Sequence, residues 1–247
     1  MAHPLNGIRA KIERAKEHIR NLDADITTYI NGADHSITTS LHPDPSQPGY
    51  VRHVVINGGA FPERISVVAG EVVHQLRSSL DHLIRQLVIA EGTEAPTDNL
   101  EFPIFWEPEK YPAAARRKIK GVSSTAAARI ESLQPYNSSM GMSADHSLFV
   151  LHDLDRIDKH QLLILTAGEL RLYGSEKFFP EELDKVITCK PTRTLTAQPG
   201  TNYEVSFDIA FDTFGNRKGE PIIPSLQQLT DFVSGVIDSF NSEFKGS

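Results

Sequence analysis

The stretch HQLRSSLDH, residues 74–82, places two histidines, an arginine and an aspartate within nine positions of an otherwise apolar run. Residues three and four apart share a helix face. In a helix that spacing groups Glu71, His74, Ser78, Asp81, His82 and Arg85 beside a leucine stripe, with Arg77 at its edge. A second stretch, HDLDRIDKH at 152–160, repeats the theme with His152, Asp153, Asp155, Arg156, Asp158, Lys159 and His160. Two such helices could face one another across a bundle. Glu71-x-x-His74 has the spacing with which helical bundles present a carboxylate and an imidazole to iron or manganese, and His152-x-x-Asp155 is its reverse. A second E-x-x-H is missing, so no metal is assigned; a single zinc or other ion on His74, His82, His152 and a carboxylate is the remaining metal option. The structural alternative is plainer. Arg77 and Asp81 form an i,i+4 pair, the histidines are hydrogen-bonded seam residues, and Lys159 and His160 place positive charge at a helix C-terminus.

The elements that must position these clusters are readable from hydrophobic period. The first cluster lies on a long helix from Pro62 to Glu91, with Val68, Val72, Leu76, Leu80, Leu83 and Leu87 as core stripe and Gly92 as stop. The second lies on a helix over Ala144–His160, carried by Leu148, Leu151, Leu154 and Ile157. A first helix, Pro4–Tyr29, sets Ile8, Ile12, Ala15, Ile19, Leu22, Ile26 and Ile30 on one stripe, and Asn31-Gly32 ends it. Two short helices, Ala113–Lys120 and Ser124–Leu133, follow EFPIFWEPEKYP, whose Phe102, Phe105 and Trp106 are expected to tack a long connection onto the core. QPYNSSMGMSAD, 134–145, reads as a mobile loop, and the final helix is expected to start at a capping box from Ser225 to Gln228.

Strands are expected at Ser36–Leu41, Tyr50–Asn57, Gln161–Thr166, Leu170–Tyr173, Lys185–Ala197 and Tyr203–Asp212, the last alternating apolar and polar residues. The pattern predicts an α+β fold, a bundle of long helices packed with an antiparallel β-sheet. It predicts one domain over 1–247, with bundle segments 4–31, 62–91, 113–160 and 225–244 and sheet segments 36–57 and 161–212.

Composition narrows the function classes. A formal net charge of −7 argues against coating nucleic acid through bulk charge and against a polybasic membrane role. RRKIK, 116–120, is the basic cluster; it reads as a solvated face, or as a phosphate contact if RNA is the ligand. No apolar run approaches the ~20 residues needed to span a bilayer. MAHPLNGIRAKIERAKEH lacks the apolar region of a secretory signal. The one cysteine, Cys189, permits no intrachain disulfide and reads as a buried strand residue, so a cytoplasmic setting is expected. No dinucleotide fingerprint, Walker loop or nucleophile elbow occurs, and no cofactor is expected.

RSSLDH is R-x4-H, and it resembles the motif of HEPN-domain ribonucleases, helical bundles that cut RNA without metal. The resemblance implies catalysis by Arg77 and His82. An arginine stabilises the in-line phosphorane by charge, and a histidine near neutral pKa moves the 2′-hydroxyl proton. It implies RNA as partner and a homodimer that brings two motifs together. AGEVVHQLRSSLDHL and LDRIDKHQLLIL also resemble uncharacterised bacterial proteins in which a helix with R-S-x-L-D-H accompanies one ending in D-K-H. That resemblance implies that the two clusters belong together. Arg77, His82 and Asp81 are then the catalytic candidates, with His74, Asp158, Lys159 and His160 as binding residues. The expected function is a metal-independent endoribonuclease of toxin or phage-defence type. The alternative is a non-catalytic ligand- or protein-binding module, or a metal-binding bundle. A nuclease requires Arg77 and His82 at an open groove or a two-fold interface.

Overall fold

Helix α1, Asn6–Ile30, forms because its apolar residues recur at spacings of three and four on an otherwise charged segment. Ile8, Ile12, Ala15, Ile19, Leu22, Ile26 and Ile30 are all buried, as their period predicts. The structure, a computed structural model, describes residues 3–31, 62–92, 99–138, 145–163, 209–211 and 220–244 in full, and the backbone alone for strands at 36–43, 50–57, 165–167, 172–174 and 187–189. Helix α2 runs Glu63–Ala90, α3 Tyr111–Lys118, α4 Ser124–Ser132, α5 Ser147–Asp158 and α6 Ile222–Ser239.

The α+β class is overturned. Where side chains are described, 76% of residues are helical and the one strand is three residues long, so the fold is mainly helical. That strand, β6 (Ile209–Phe211), is the described part of the segment expected over Tyr203–Asp212. Elsewhere the strands are backbone features. β1 (Ser36–Pro43) and β2 (Tyr50–Asn57) pair antiparallel from Ser36↔Asn57 to Pro43↔Tyr50. The others, β3 (Leu165–Ala167), β4 (Leu172–Gly174) and β5 (Ile187–Cys189), are three residues each. β4 pairs with β2, β5 with β1 and β3 with β6. Over 161–212 the described strand residues are 165–167, 172–174, 187–189 and 209–211. Residues 161–163 are described and are not strand, so the strand expected from Gln161 does not begin there; the remaining positions of 161–212, and residues 139–144 of the expected mobile loop, lie outside the described residues.

The chain divides into two compact units, and the division falls within α1, α2 and α6. One unit comprises Met1–Arg20, Val67–Leu163 and Pro224–Ser247; the other comprises Asn21–Ser66 and Ile164–Ile223. Both histidine-bearing clusters belong to the first. Its buried apolar residues include Ile8, Ile12, Ala15 and Ile19 of α1, the α2 stripe from Val68 to Leu87, Leu148, Leu151 and Leu154 of α5, and Leu226, Leu229, Val233, Val236 and Phe240 of α6.

Two local expectations change. Helix α6 begins at Ile222, so Ser225 lies in its first turn instead of capping it. Pro224 is tolerated there because the first N–H groups of a helix have no intrahelical acceptor. In the connection before α3, Phe102 and Ile104 are buried, whereas Trp106 is 41% exposed and rests on Phe149 with ring centroids 4.5 Å apart. Gln134 secures this connection. Its amide donates to the carbonyls of Pro103 and Ile130 at 2.9 and 3.0 Å and accepts from Phe105 N–H at 3.0 Å. Among the described residues no helix is long and apolar enough to cross a membrane.

Candidate functional site

The stretches 74–82 and 152–160 meet. Gly70, one turn before His74, lets α2 approach α5 so closely that a Cβ there would collide with the Asp158 carboxylate. One turn along α5, Asp155 is only 3% exposed. Its carboxylate is balanced by Lys159 Nζ at 2.5 Å and lies 3.3 Å from His74 Nδ1. A buried carboxylate that engages one ring nitrogen of an exposed imidazole fixes the ring and leaves its outer edge open. His74 presents 58% of its side chain to solvent.

Arg77 turns the other way. It is 5% exposed. Its guanidinium donates to Asp81 Oδ1 at 2.6 Å and to the Phe102 carbonyl at 3.0 Å, with Glu101 at 3.7 Å. Asp81 Oδ1 also accepts the Phe102 N–H at 2.8 Å, so both backbone groups of Phe102 are tied to α2. Arg77 and Asp81 therefore form a clamp that holds the 99–105 connection on the bundle. Burial lifts the Asp81 carboxyl above its ordinary range, against the opposing pull of Arg77 and the Phe102 N–H. Burial, reinforced by Arg77 and Lys118, pushes His152 below its ordinary value.

His82 does not join them. Five residues separate it from Arg77, roughly 140° around the helix at 100° per residue, and it is exposed where Arg77 is buried. His160 follows the end of α5 and is exposed, its backbone N–H donating to the Ile157 carbonyl at 2.9 Å. The structure thus gathers His74, Asp158 and Lys159 near Asp155, assigns Arg77 and Asp81 to the clamp, and leaves His82 and His160 apart.

A cleft of about 510 Å³ opens beside the α2–α5 contact. Arg14 and His18 of α1, Glu71 and His74 of α2, and Asp158 of α5 line it, and Val67 and Leu162 give it apolar rims. Its volume suits a small ligand. The cationic groups at its margins are already occupied: Arg14 bonds Glu17 at 2.7 Å, and Lys159 bonds Asp155. Glu71 lies 3.5 Å from His18 Nδ1. Asp158 has no side-chain hydrogen bond or ion pair among the described residues. Desolvation raises its pKa, with Asp155 and Glu71 adding to the rise and His74 opposing it. No group of three or more His, Cys, Asp or Glu side chains among the described residues could hold a metal ion, so the E-x-x-H spacing does not gather a ligand set here.

Sequence reasoning passed over Arg14 and His18, because the polar face of α1 reads as solvated charge, and over Gln134 in a segment read as loop. Gly70 carried the usable signal: a residue without a side chain, one turn from a histidine and inside an apolar run, marks a close approach. No protein-family model, curated protein or solved structure matches the chain.

Proposed function

We propose that this protein is a non-catalytic binding module whose α1/α2/α5 cleft takes a small organic cation of the polyamine class. The observation that carries the reading is the unpaired Asp158 carboxylate at the cleft, seated on Gly70. Glu71 supplies a second acceptor from the neighbouring helix, and the two imidazoles accept or donate according to tautomer. An ammonium ligand relieves the like-charge crowding of Glu71, Asp155 and Asp158; a phosphate adds to it. In a thermal-shift assay, spermidine at a hundredfold excess over its Kd adds about 2.7 kcal/mol of stability. Inorganic phosphate adds none, and Glu71→Gln reduces the spermidine shift. A shift with phosphate and none with spermidine refutes the assignment.

One observation favours a second reading, metal-independent ribonucleolysis carried by residues other than Arg77 and His82. His74 set against buried Asp155 has the orientation of a general base, and a second cleft histidine, His18, is set against Glu71. In this reading RNA is the partner, and a dimer is no longer needed to complete a motif. Incubation with labelled RNA in EDTA separates the readings: cleavage lost in both His74→Ala and His18→Ala favours the nuclease. The absence of cleavage by the wild type favours the binding module.

A further inference from the structure

Four large apolar side chains stand exposed among the described residues, and two of them, Val67 at 42% and Leu162 at 46%, belong to one cleft. It is the α1/α2/α5 cleft, where they line the same space as Glu71 and Asp158. They come from different segments, Val67 from α2 and Leu162 from the chain just after α5. Single exposed apolar residues are common on any surface and need no explanation. A pair flanking two carboxylates in one recess gives that recess an apolar end.

Register along the helices fixes which end it is. Gly70 meets Asp158 and His74 meets Asp155, so α2 and α5 run antiparallel. Val67 precedes Glu71 by one turn of α2, and Leu162 follows Asp158 by four residues. Both therefore lie on the same side of the acidic pair. On the other side, Lys11 Nζ donates to Gln75 Oε1 at 3.3 Å, and Arg14 lines the cleft beside Gln75.

A ligand with its ammonium groups at Glu71 and Asp158 has two ways to extend. Toward Gln75 it meets Arg14 and Lys11, which repel a further cation. Toward Val67 and Leu162 it meets apolar surface, where methylene groups leave water and these side chains offer an ammonium no acceptor. Val67 and Glu71 are about 6 Å apart along the axis at 1.5 Å per residue. An extended chain advances about 1.2 Å per bond, so about five bonds reach from the acidic pair to the apolar rims.

Resting on the assignment of this cleft to amines, we propose that it selects an amine with a cationic head and an uncharged aliphatic tail. The head sits on Glu71 and Asp158, and the tail lies between Val67 and Leu162, which determine the specificity. Spermidine satisfies the head site but ends in an ammonium at the apolar rims. A diamine head that carries an alkyl tail binds more tightly.

Calorimetric titration of 1,3-diaminopropane and of N-hexyl-1,3-diaminopropane into the full chain tests the selectivity. The two amines carry the same charge and differ only in the tail. The alkylated amine is expected to bind at least tenfold more tightly. Val67→Ser and Leu162→Ser each reduce that ratio at least threefold, whereas Ile89→Ser, at a residue 45% exposed outside the cleft, leaves it unchanged. All three side chains are exposed, so the variants keep the fold. Equal affinity for the two amines overturns the selectivity and leaves the amine site standing. A ratio that survives both Val67→Ser and Leu162→Ser places the tail elsewhere and overturns it too. Binding of neither amine, with circular dichroism showing a folded chain, removes the amine site itself and the inference with it.

Discussion

Replacing Arg77 with methionine keeps the length of its apolar stem and removes the guanidinium that joins α2 to the 99–105 connection. Three groups lose a partner: Asp81 Oδ1 at 2.6 Å, the Phe102 carbonyl at 3.0 Å and Glu101 at 3.7 Å. Breaking a buried ion pair from one side costs about 3–5 kcal/mol. The Asp81 side chain is 32% exposed, so water screens part of that cost. Asp81 also keeps the Phe102 N–H. The orphaned Phe102 carbonyl adds about 1–3 kcal/mol. The net expectation is a loss of about 3 kcal/mol, a large fraction of the 5–15 kcal/mol typical of a folded protein. Urea unfolding followed by far-ultraviolet circular dichroism measures it. A cycle with Asp81→Asn should return a coupling energy of about 1–3 kcal/mol. A loss below about 1 kcal/mol for Arg77→Met would refute the clamp and return Arg77 to the list of residues free for chemistry.

Further predictions concern the seam and the cleft. Gly70→Ala gains helix propensity of about 1 kcal/mol but drives its new methyl into the Asp158 carboxylate, which must swing aside. Stability should hold or rise while spermidine affinity falls severalfold; thermal melts and titrations on one preparation test the pair of outcomes. His152 has a depressed pKa, caused first by burial and then by Arg77 and Lys118. Between its folded value and the unfolded value near 6.5 the unfolded chain binds more protons, so this contribution is complete above about pH 6.5 and is lost as pH falls through the window beneath it. In His152→Gln the loss of stability over that window should be smaller than in the wild type. An unchanged pH profile would contradict the burial argument.

The helices were legible where a 3.6-residue period decides. The α1 stripe from Ile8 to Ile30 is buried throughout, and α2 differs from its expected bounds by a residue at each end. The direction of Arg77 was not. Val73, Ile84 and Val88 are buried beside the leucine stripe, so the buried arc of α2 is wide and takes in a position that looks marginal on a helical wheel. Its partner, the backbone of Phe102, leaves no trace in a side-chain pattern. The expected α+β class was wrong, although the strands expected from Ser36 and over Tyr50–Asn57 are present as β1 and β2. Within the alternating run Tyr203–Asp212 the described residues Ile209–Phe211 are strand, but Ala210 is buried with its neighbours, so the expected wet face is not seen there. The meeting of 74–82 with 152–160 was readable as a possibility from two polar clusters near apolar seams. Gly70 and Asp155 make it real through close approach and a buried carboxylate.

Asp158 is the unpaired acceptor on which ligand binding in the cleft depends. Calorimetric titration of spermidine into the wild-type chain and into Asp158→Asn at the same pH and salt concentration tests it. Saturable binding by the wild type, weakened at least tenfold in Asp158→Asn and preserved in His82→Ala, is the predicted result. Equal binding by wild type and Asp158→Asn, or no binding by either, contradicts it.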